Sequence, residues 1–244
     1  MNFLHGKTAL ITGSGRGLGS HVALALAQDG WRVVINYRTN RSAAEKTAER
    51  IHAQGAECLL VQADVRRPQE VERLVSDIQQ QTGRIDILIH AVGDFAQKPL
   101  LQTDHKLWCE MLESNLTSAF LMCRAVVPIM QKHKWGRIIT IGLSSAAAIR
   151  AYREITPYAI AKTGLLILTQ SLARELAAEG ITANCISLGH MRDGSTAPTI
   201  DKNTVPMQRL GTAEDLVAAI RFLISEQAAY TSGSNILVSG AWGL

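Results

Sequence analysis

The chain has 244 residues, 47% hydrophobic and 19% charged, which is ordinary for a soluble globular protein and enough for one sizeable core. The formal charge of +4 is spread thinly. Its densest cluster, Lys132-His133-Lys134 beside Trp135-Gly136, reads as cations at a helix end, so no nucleic-acid partner is expected. Cys58, Cys109, Cys123 and Cys185 lie far apart with no C-x-x-C pair and no histidine at zinc-ligand spacing, so no metal site is expected and the thiols suit a reducing compartment. No apolar run reaches membrane-spanning length, and Met1 to Lys7 lead directly into a strand with no signal-peptide pattern. A cytoplasmic protein with no membrane partner is expected.

In chain order, short aliphatic runs alternate with longer helical stretches. Strands are predicted at Thr8–Thr12, Arg32–Asn36, Cys58–Gln62, Ile85–His90, Arg137–Ile141, Ala183–Ser187 and Asn235–Val238. Several are apolar without alternation, as parallel strands covered on both faces are. Helices are predicted at Gly17–Asp29, Ser42–Gln54, Pro68–Thr82, about Asp104 to Lys132, Thr156–Ala178 and Thr212–Ser225. The alternation implies an α/β fold: a three-layer, doubly wound, Rossmann-like parallel sheet of about seven strands in a single domain spanning 1–244. Residues 190–205, with Gly194 and Pro198, lack a clear pattern and read as a mobile segment over a site.

The first strand runs straight into Gly13-Ser14-Gly15-Arg16-Gly17-Leu18-Gly19 and then a helix. Glycines let a backbone turn tightly and approach a pyrophosphate at a helix N-terminus. A G-x-G-x-x-G pattern starting at Gly13 fails at Leu18; the fit is Thr12-Gly13-x-x-x-Gly17-x-Gly19. Further on, Thr156 reads as an N-cap and Pro157 as the first residue of a helix carrying Tyr158 and Lys162. At i and i+4 these side chains share a face. An ammonium and the positive end of a helix favour a phenolate, so the pKa of Tyr158 is expected to fall, which suits a hydroxyl that gives a proton to a carbonyl oxygen.

These motifs, with Asn115 between them, resemble the short-chain dehydrogenase/reductase family over essentially the whole chain. Within it the chain is similar to 3-oxoacyl-carrier-protein reductases in Arg137-Ile-Ile-Thr-Ile-Gly142, Ser171-Leu-Ala-Arg-Glu175, Gly180-Ile-Thr-Ala-Asn184, Arg209-Leu-Gly211 with Glu214-Asp215, and Tyr230-Thr-Ser-Gly233. In such a fold an acid at the end of the second strand holds the ribose of NAD. Here that strand ends in Asn36-Tyr37-Arg38-Thr39, without a carboxylate, and Arg16 and Arg38 could flank a 2′-phosphate, so NADP(H) is the expected cofactor. The resemblance implies that Gly13, Ser14, Arg16, Gly17, Leu18, Gly19, Tyr37 and Arg38 hold the cofactor. It places Asp64 and Val65 at the adenine, with Ala91, Gly93, Gly189 and Met191 further along it. His90 replaces an asparagine that braces neighbouring strands and reads as a structural substitute.

The resemblance also implies the catalytic set Asn115, Ser145, Tyr158 and Lys162, with Asn115, Tyr158 and Lys162 touching the cofactor side as well. Asn115 would hold a water linking Lys162 to solvent, and Lys162 would hold the nicotinamide ribose. A serine would polarise the substrate carbonyl. Counting back from Tyr158 selects Ser145, whereas counting forward along the fifth strand lands on Leu143, so the loop holds an apparent insertion and Ser144 is the alternative. Arg150, Arg153 and Arg192 could face the pocket and favour an anionic substrate. The expected function is reduction of a small-molecule carbonyl, with a 3-oxoacyl thioester among the candidates. A pteridine-reductase-like or xenobiotic carbonyl reductase, and a non-catalytic NADP(H)-binding regulator, are the rivals. The resemblance further implies a homotetramer or homodimer, paired through the long helices and the apolar tail Ile236 to Leu244.

Overall fold

A computed structural model of the chain describes residues 6–192 and 201–243. Seven parallel strands form one sheet in the order β3-β2-β1-β4-β5-β6-β7. They are β1 (Thr8–Thr12), β2 (Arg32–Tyr37), β3 (Cys58–Gln62), β4 (Ile87–His90), β5 (Gly136–Leu143), β6 (Ile181–Leu188) and β7 (Asn235–Val238). The connecting helices are α1 (Gly17–Gln28), α2 (Arg41–His52), α3 (Pro68–Thr82), α4 (His105–Leu112), α5 (Ser118–His133), α6 (Thr156–Leu176) and α7 (Ala213–Ile224).

Successive side chains of a strand point to opposite faces, and both faces here are apolar. Ala9 and Ile11 of β1 join Val33, Ile35, Ile87 and Ile89 under α1, α2 and α7. Leu10 joins Val34, Leu88, Ile138 and Ala183 under α3, α5 and α6. The order in which successive strands join the sheet reverses at β1, whose neighbours are β2 on one side and β4 on the other. In an open parallel sheet such a switch point opens a crevice at the carboxyl ends of the strands.

Four predicted elements change their bounds for physical reasons. The fourth strand starts at Ile87 rather than Ile85: at the buried Asp86 the side-chain carboxylate, in place of a main-chain carbonyl, accepts the 2.8 Å hydrogen bond from the Thr8 amide. β5 and β6 run on to Leu143 and Leu188, which pair with each other and so extend the sheet under the crevice. The long helix predicted from Asp104 to Lys132 is divided: Glu113–Thr117 form a π-helical turn between α4 and α5. Such single-turn insertions cluster at functional sites.

The start of α6 also differs. Ile155 is its N-cap, Thr156 is already helical, and the Thr156 hydroxyl donates back to the Tyr152 carbonyl at 2.8 Å instead of capping forward. Of the segment predicted to be mobile at 190–205, residues 193–200 lie outside the described residues.

Candidate active site

A cavity of about 730 Å³ runs along the carboxyl ends of the strands, from the loops after β2 and β3 to those after β5 and β6. That volume is in the range of small-molecule and cofactor sites. At its centre, Gly13, Arg16, Gly17, Leu18 and Gly19 line the wall. A Cβ on Gly19 would stand 2.6 Å from the Gly13 carbonyl oxygen, so only glycine lets the loop fold this closely over the start of α1. No side chain caps α1 and no acid occupies its first turn, which leaves its amide end available to an anion. Ser14 does not line the cavity. It is buried, its hydroxyl donating to the Ile11 carbonyl (2.7 Å) and its amide to that of Asn36 (3.1 Å), and it ties the loop to β2.

Tyr37 and Arg38 line one end of the cavity together with Asp64 and Val65. The Arg38 guanidinium is half-exposed and 4.0 Å from the Asp94 carboxylate. Asp64 is not free: Arg66 grips it with both Nε and Nη2 at 2.6–3.1 Å, and the guanidinium holds the carboxyl below the usual range. Sequence reasoning missed Arg66, although it sits in the same turn as Asp64-Val65. Cradle, uncapped helix end and cavity size fit a dinucleotide, and Gly13 to Gly19 with Tyr37 and Arg38 would hold it.

Across the switch point, Ala91 and Gly93 line the cavity, while His90 lies beneath it. His90 Nδ1 is 3.0 Å from the Thr12 hydroxyl and Nε2 is 3.0 Å from that of Ser118. Because the Ser118 hydroxyl already donates to the Ser114 carbonyl at 2.7 Å, it accepts from Nε2–H, and Thr12 donates to a bare Nδ1. The ring is thus a neutral brace joining β1, β4 and α5. Burial, with the Lys162 charge nearby, pushes its pKa down to about 3.

Asn115 sits in the π-helical turn, behind the lining. Its Nδ2 donates to the carbonyls of Asp94 (2.8 Å) and Met111 (3.0 Å), while its buried Oδ1 has no partner. A Cβ on Gly93 would overlap this Oδ1 and come 3.3 Å from Lys162 Nζ, so Gly93 is what lets the amide and the ammonium approach the same spot.

Tyr158 and Lys162 both line the cavity from α6. Lys162 is buried, donates to the Ile141 carbonyl at 2.7 Å, and stands 5.6 Å from the centre of the Tyr158 ring. The expectation of a lowered tyrosine pKa is corrected here. Loss of hydration dominates, pushing the Tyr158 phenol up to about 12 and the Lys162 ammonium down to about 8.

The serines stand differently from the expectation. Ser144 and Ser145 are buried and neither is among the cavity-lining residues, whereas Leu143 is. The Tyr152 hydroxyl donates to the Ser145 carbonyl at 2.6 Å and lies 3.2 Å from its Oγ; Ser144 Oγ is buried without a partner. Gly189 and Met191 line the far end, where Met191 bridges to Gly211. Arg150, Arg153 and Arg192 are exposed and off the cavity wall. Phe95, Gln97, His190 and Trp242, none of them singled out from sequence, complete that end. Their only sequence signal is position just after strand ends.

A sequence profile described as enoyl-(acyl carrier protein) reductase matches residues 13–242. The 3-oxoacyl-[acyl-carrier-protein] reductases of Synechocystis sp. and Escherichia coli K12 are each 35% identical, covering 98% of this chain and 98% of each relative. The chain belongs to the short-chain dehydrogenase/reductase family. The corresponding reductase of Staphylococcus epidermidis is 32% identical over 240 residues. A crystal structure from Burkholderia xenovorans, described as a candidate short-chain dehydrogenase/reductase, superposes with a TM-score of 0.91 at 31% identity, covering 97% of this chain and 96% of that one. A candidate short-chain alcohol dehydrogenase from Sinorhizobium meliloti 1021 gives 0.91 at 29%, with the same coverage. Membership of this dehydrogenase/reductase family makes the protein an oxidoreductase that works with a nicotinamide cofactor. Among the described residues no helix is long and apolar enough to cross a membrane, and no cluster of potential metal ligands is present.

Proposed function

We propose that this chain is an NADPH-dependent carbonyl reductase. The observation that carries the reading is the pairing of Tyr158 with Lys162 on the wall of a cavity that also holds the uncapped end of α1. When bound, the reduced nicotinamide supplies a hydride. The phenol of Tyr158, protonated throughout the neutral range, gives its proton to the oxygen of the reacting ketone. Lys162, anchored on Ile141, holds positive charge beside that oxygen and the ribose side of the site. Asn115 Oδ1, a buried acceptor without a partner on the same side of Gly93 as the ammonium, would orient the group through which Lys162 regains a proton. Ser145 and Ser144, which line no part of the cavity, are given no part in this step.

Arg16 and Arg38 support the choice of NADPH: both line the cavity, and no carboxylate follows β2. A 3-oxoacyl thioester is one candidate substrate, by likeness to the acyl-carrier-protein reductases. We also propose a homotetramer or homodimer, since α5 and α6 leave Phe120, Ile160 and Ile167 exposed and β7 leaves Leu237 so. Steady-state reduction of a ketone panel with NADPH and with NADH tests the reading; absence of turnover with every ketone, or equal efficiency with both cofactors, would reject its respective half.

A further inference from the structure

Two aromatic contacts sit at the substrate end of the cavity, and they come from opposite sides of it. Phe95, on the loop after β4, meets the Tyr158 ring edge-on, with centroids 5.0 Å apart and planes at 88°. The Phe95 ring is 36% exposed and lines the cavity, so one side of it stays open to a ligand. Trp242, in the segment after β7, packs on His190 with ring centroids 4.1 Å apart at 49°, and it too lines the cavity. The sheet order places β5 and β6 between β4 and β7. Three strand spacings separate the two sources, about 14 Å before either ring reaches inward. Leu143 and Ile155 add apolar wall, and Gln97 adds an amide.

The position of Trp242 is built rather than incidental. Its amide donates to the Ser239 carbonyl at 3.0 Å, Gly240 accepts from the Met207 amide at 3.2 Å, and Gly243 accepts from Arg150 Nη2 at 3.3 Å. Ala241, immediately before it, holds a φ of +67°, a left-handed conformation costly for a residue with a Cβ. Strain of this kind persists where the surroundings over-determine it and clusters at ligand sites. Apart from Lys162, no lysine or arginine among the described residues lines this end, so it offers no second cation for a carboxylate or phosphate.

We infer that this end of the cavity takes a flat aromatic or heteroaromatic ketone, seated between the Phe95 and Trp242 rings. The inference rests on the carbonyl-reductase reading and goes beyond it in naming the substrate class. Offset and edge-to-face ring contacts reward such a ligand, whereas a flexible acyl chain gains only apolar burial from the same walls.

The test uses the full chain with 2-acetylnaphthalene and an acetoacetyl thioester. In the presence of NADP⁺, calorimetry should detect 2-acetylnaphthalene binding, and with NADPH its kcat/KM should exceed that of the thioester by about tenfold or more. Trp242→Leu and Phe95→Leu should each raise KM for 2-acetylnaphthalene by about threefold to tenfold, the worth of one aromatic pair, and by less for the thioester. Trp242→Phe keeps a flat ring and should bind nearly as the parent does, which separates loss of stacking from loss of folding. A thioester that is reduced as efficiently, or variants that weaken both substrates equally, would overturn the inference. If no ketone is reduced at all, the carbonyl-reductase reading fails, and the calorimetric comparison of Trp242→Leu with Trp242→Phe still decides whether the aromatic seat exists.

Discussion

Lys162 Nζ donates a 2.7 Å hydrogen bond to the carbonyl oxygen of Ile141, near the end of β5. The bond crosses from α6 to the central sheet and fixes the ammonium under the cavity, 5.6 Å from the ring centre of Tyr158 one helical turn away. A buried cation is costly unless something accepts from it, and here a main-chain oxygen does.

The first expectation follows from the proton this pair handles. Tyr158→Phe removes the phenolic hydroxyl while keeping the ring that packs on Phe95. Ketone reduction should fall by about 10²–10⁴, the usual contribution of a positioned general acid. Single-turnover kinetics with NADPH would show it, and an unchanged rate would remove Tyr158 from the chemistry.

Lys162 sets an upper pH limit. Burial has brought its pKa down to about 8, so the ammonium is charged below that value and neutral above it. A reduction that depends on this charge should be level from pH 6 to 7 and decline as pH rises through about 8. A profile of kcat/KM that stays flat to pH 10 would show that the charge is dispensable.

Cofactor choice should rest on Arg16 and Arg38, both on the cavity wall. A charge-assisted hydrogen bond is worth about 1.5–3 kcal/mol, or roughly tenfold to a hundredfold. Arg38→Ala, and to a similar degree Arg16→Ala, should lower kcat/KM for NADPH by that factor while changing it little for NADH. Equal losses with both cofactors would mean that neither arginine meets a 2′-phosphate.

His90 makes stability depend on acid. Its pKa is about 3 when folded and near 6.5 as a free side chain. Between these values the unfolded chain binds a proton that the folded one refuses, so stability is fully present above about 6.5 and is lost as pH falls toward 3. From pH 7 to 5 this amounts to about 2 kcal/mol, or about 4–8 °C in melting temperature for a chain of this size. His90→Asn should flatten that dependence in a thermal melt followed by circular dichroism.

The glycine cradle admits a geometric test. Gly19→Ala would place a methyl group 2.6 Å from the Gly13 carbonyl oxygen, and backbone cannot step aside as a flexible side chain can. The loop would have to open, at about 1–3 kcal/mol. NADPH affinity, measured by titration of cofactor fluorescence, should drop by tenfold or more.

Much of this architecture can be read in one dimension. The runs at Thr8–Thr12, Cys58–Gln62 and Asn235–Val238 are strands to the residue, because each is a short apolar or β-branched stretch closed off by turn-forming neighbours. Glu113–Thr117 was not legible in that way. Its residues carry no helix-breaking signal, and the wider turn places Asn115 against Asp94, a contact far apart in sequence. Leu143 shows a related limit. Counting forward along β5 reaches it and counting back from Tyr158 reaches Ser145, and only the packed loop shows Leu143 on the cavity wall with both serines covered.

Periodicity, turn residues and the order of the motifs were sufficient by themselves for the parallel α/β sheet, the glycine loop after its first strand and the tyrosine–lysine helix, because those are consequences of local chemistry repeated along the chain. Hydration is not local. Whether the Tyr158 phenol gains or loses acidity, whether Asp64 is free or gripped by Arg66, and which rings close the far end of the cavity depend on what three-dimensional packing removes from water. Those properties were decided only when strands distant in sequence came side by side.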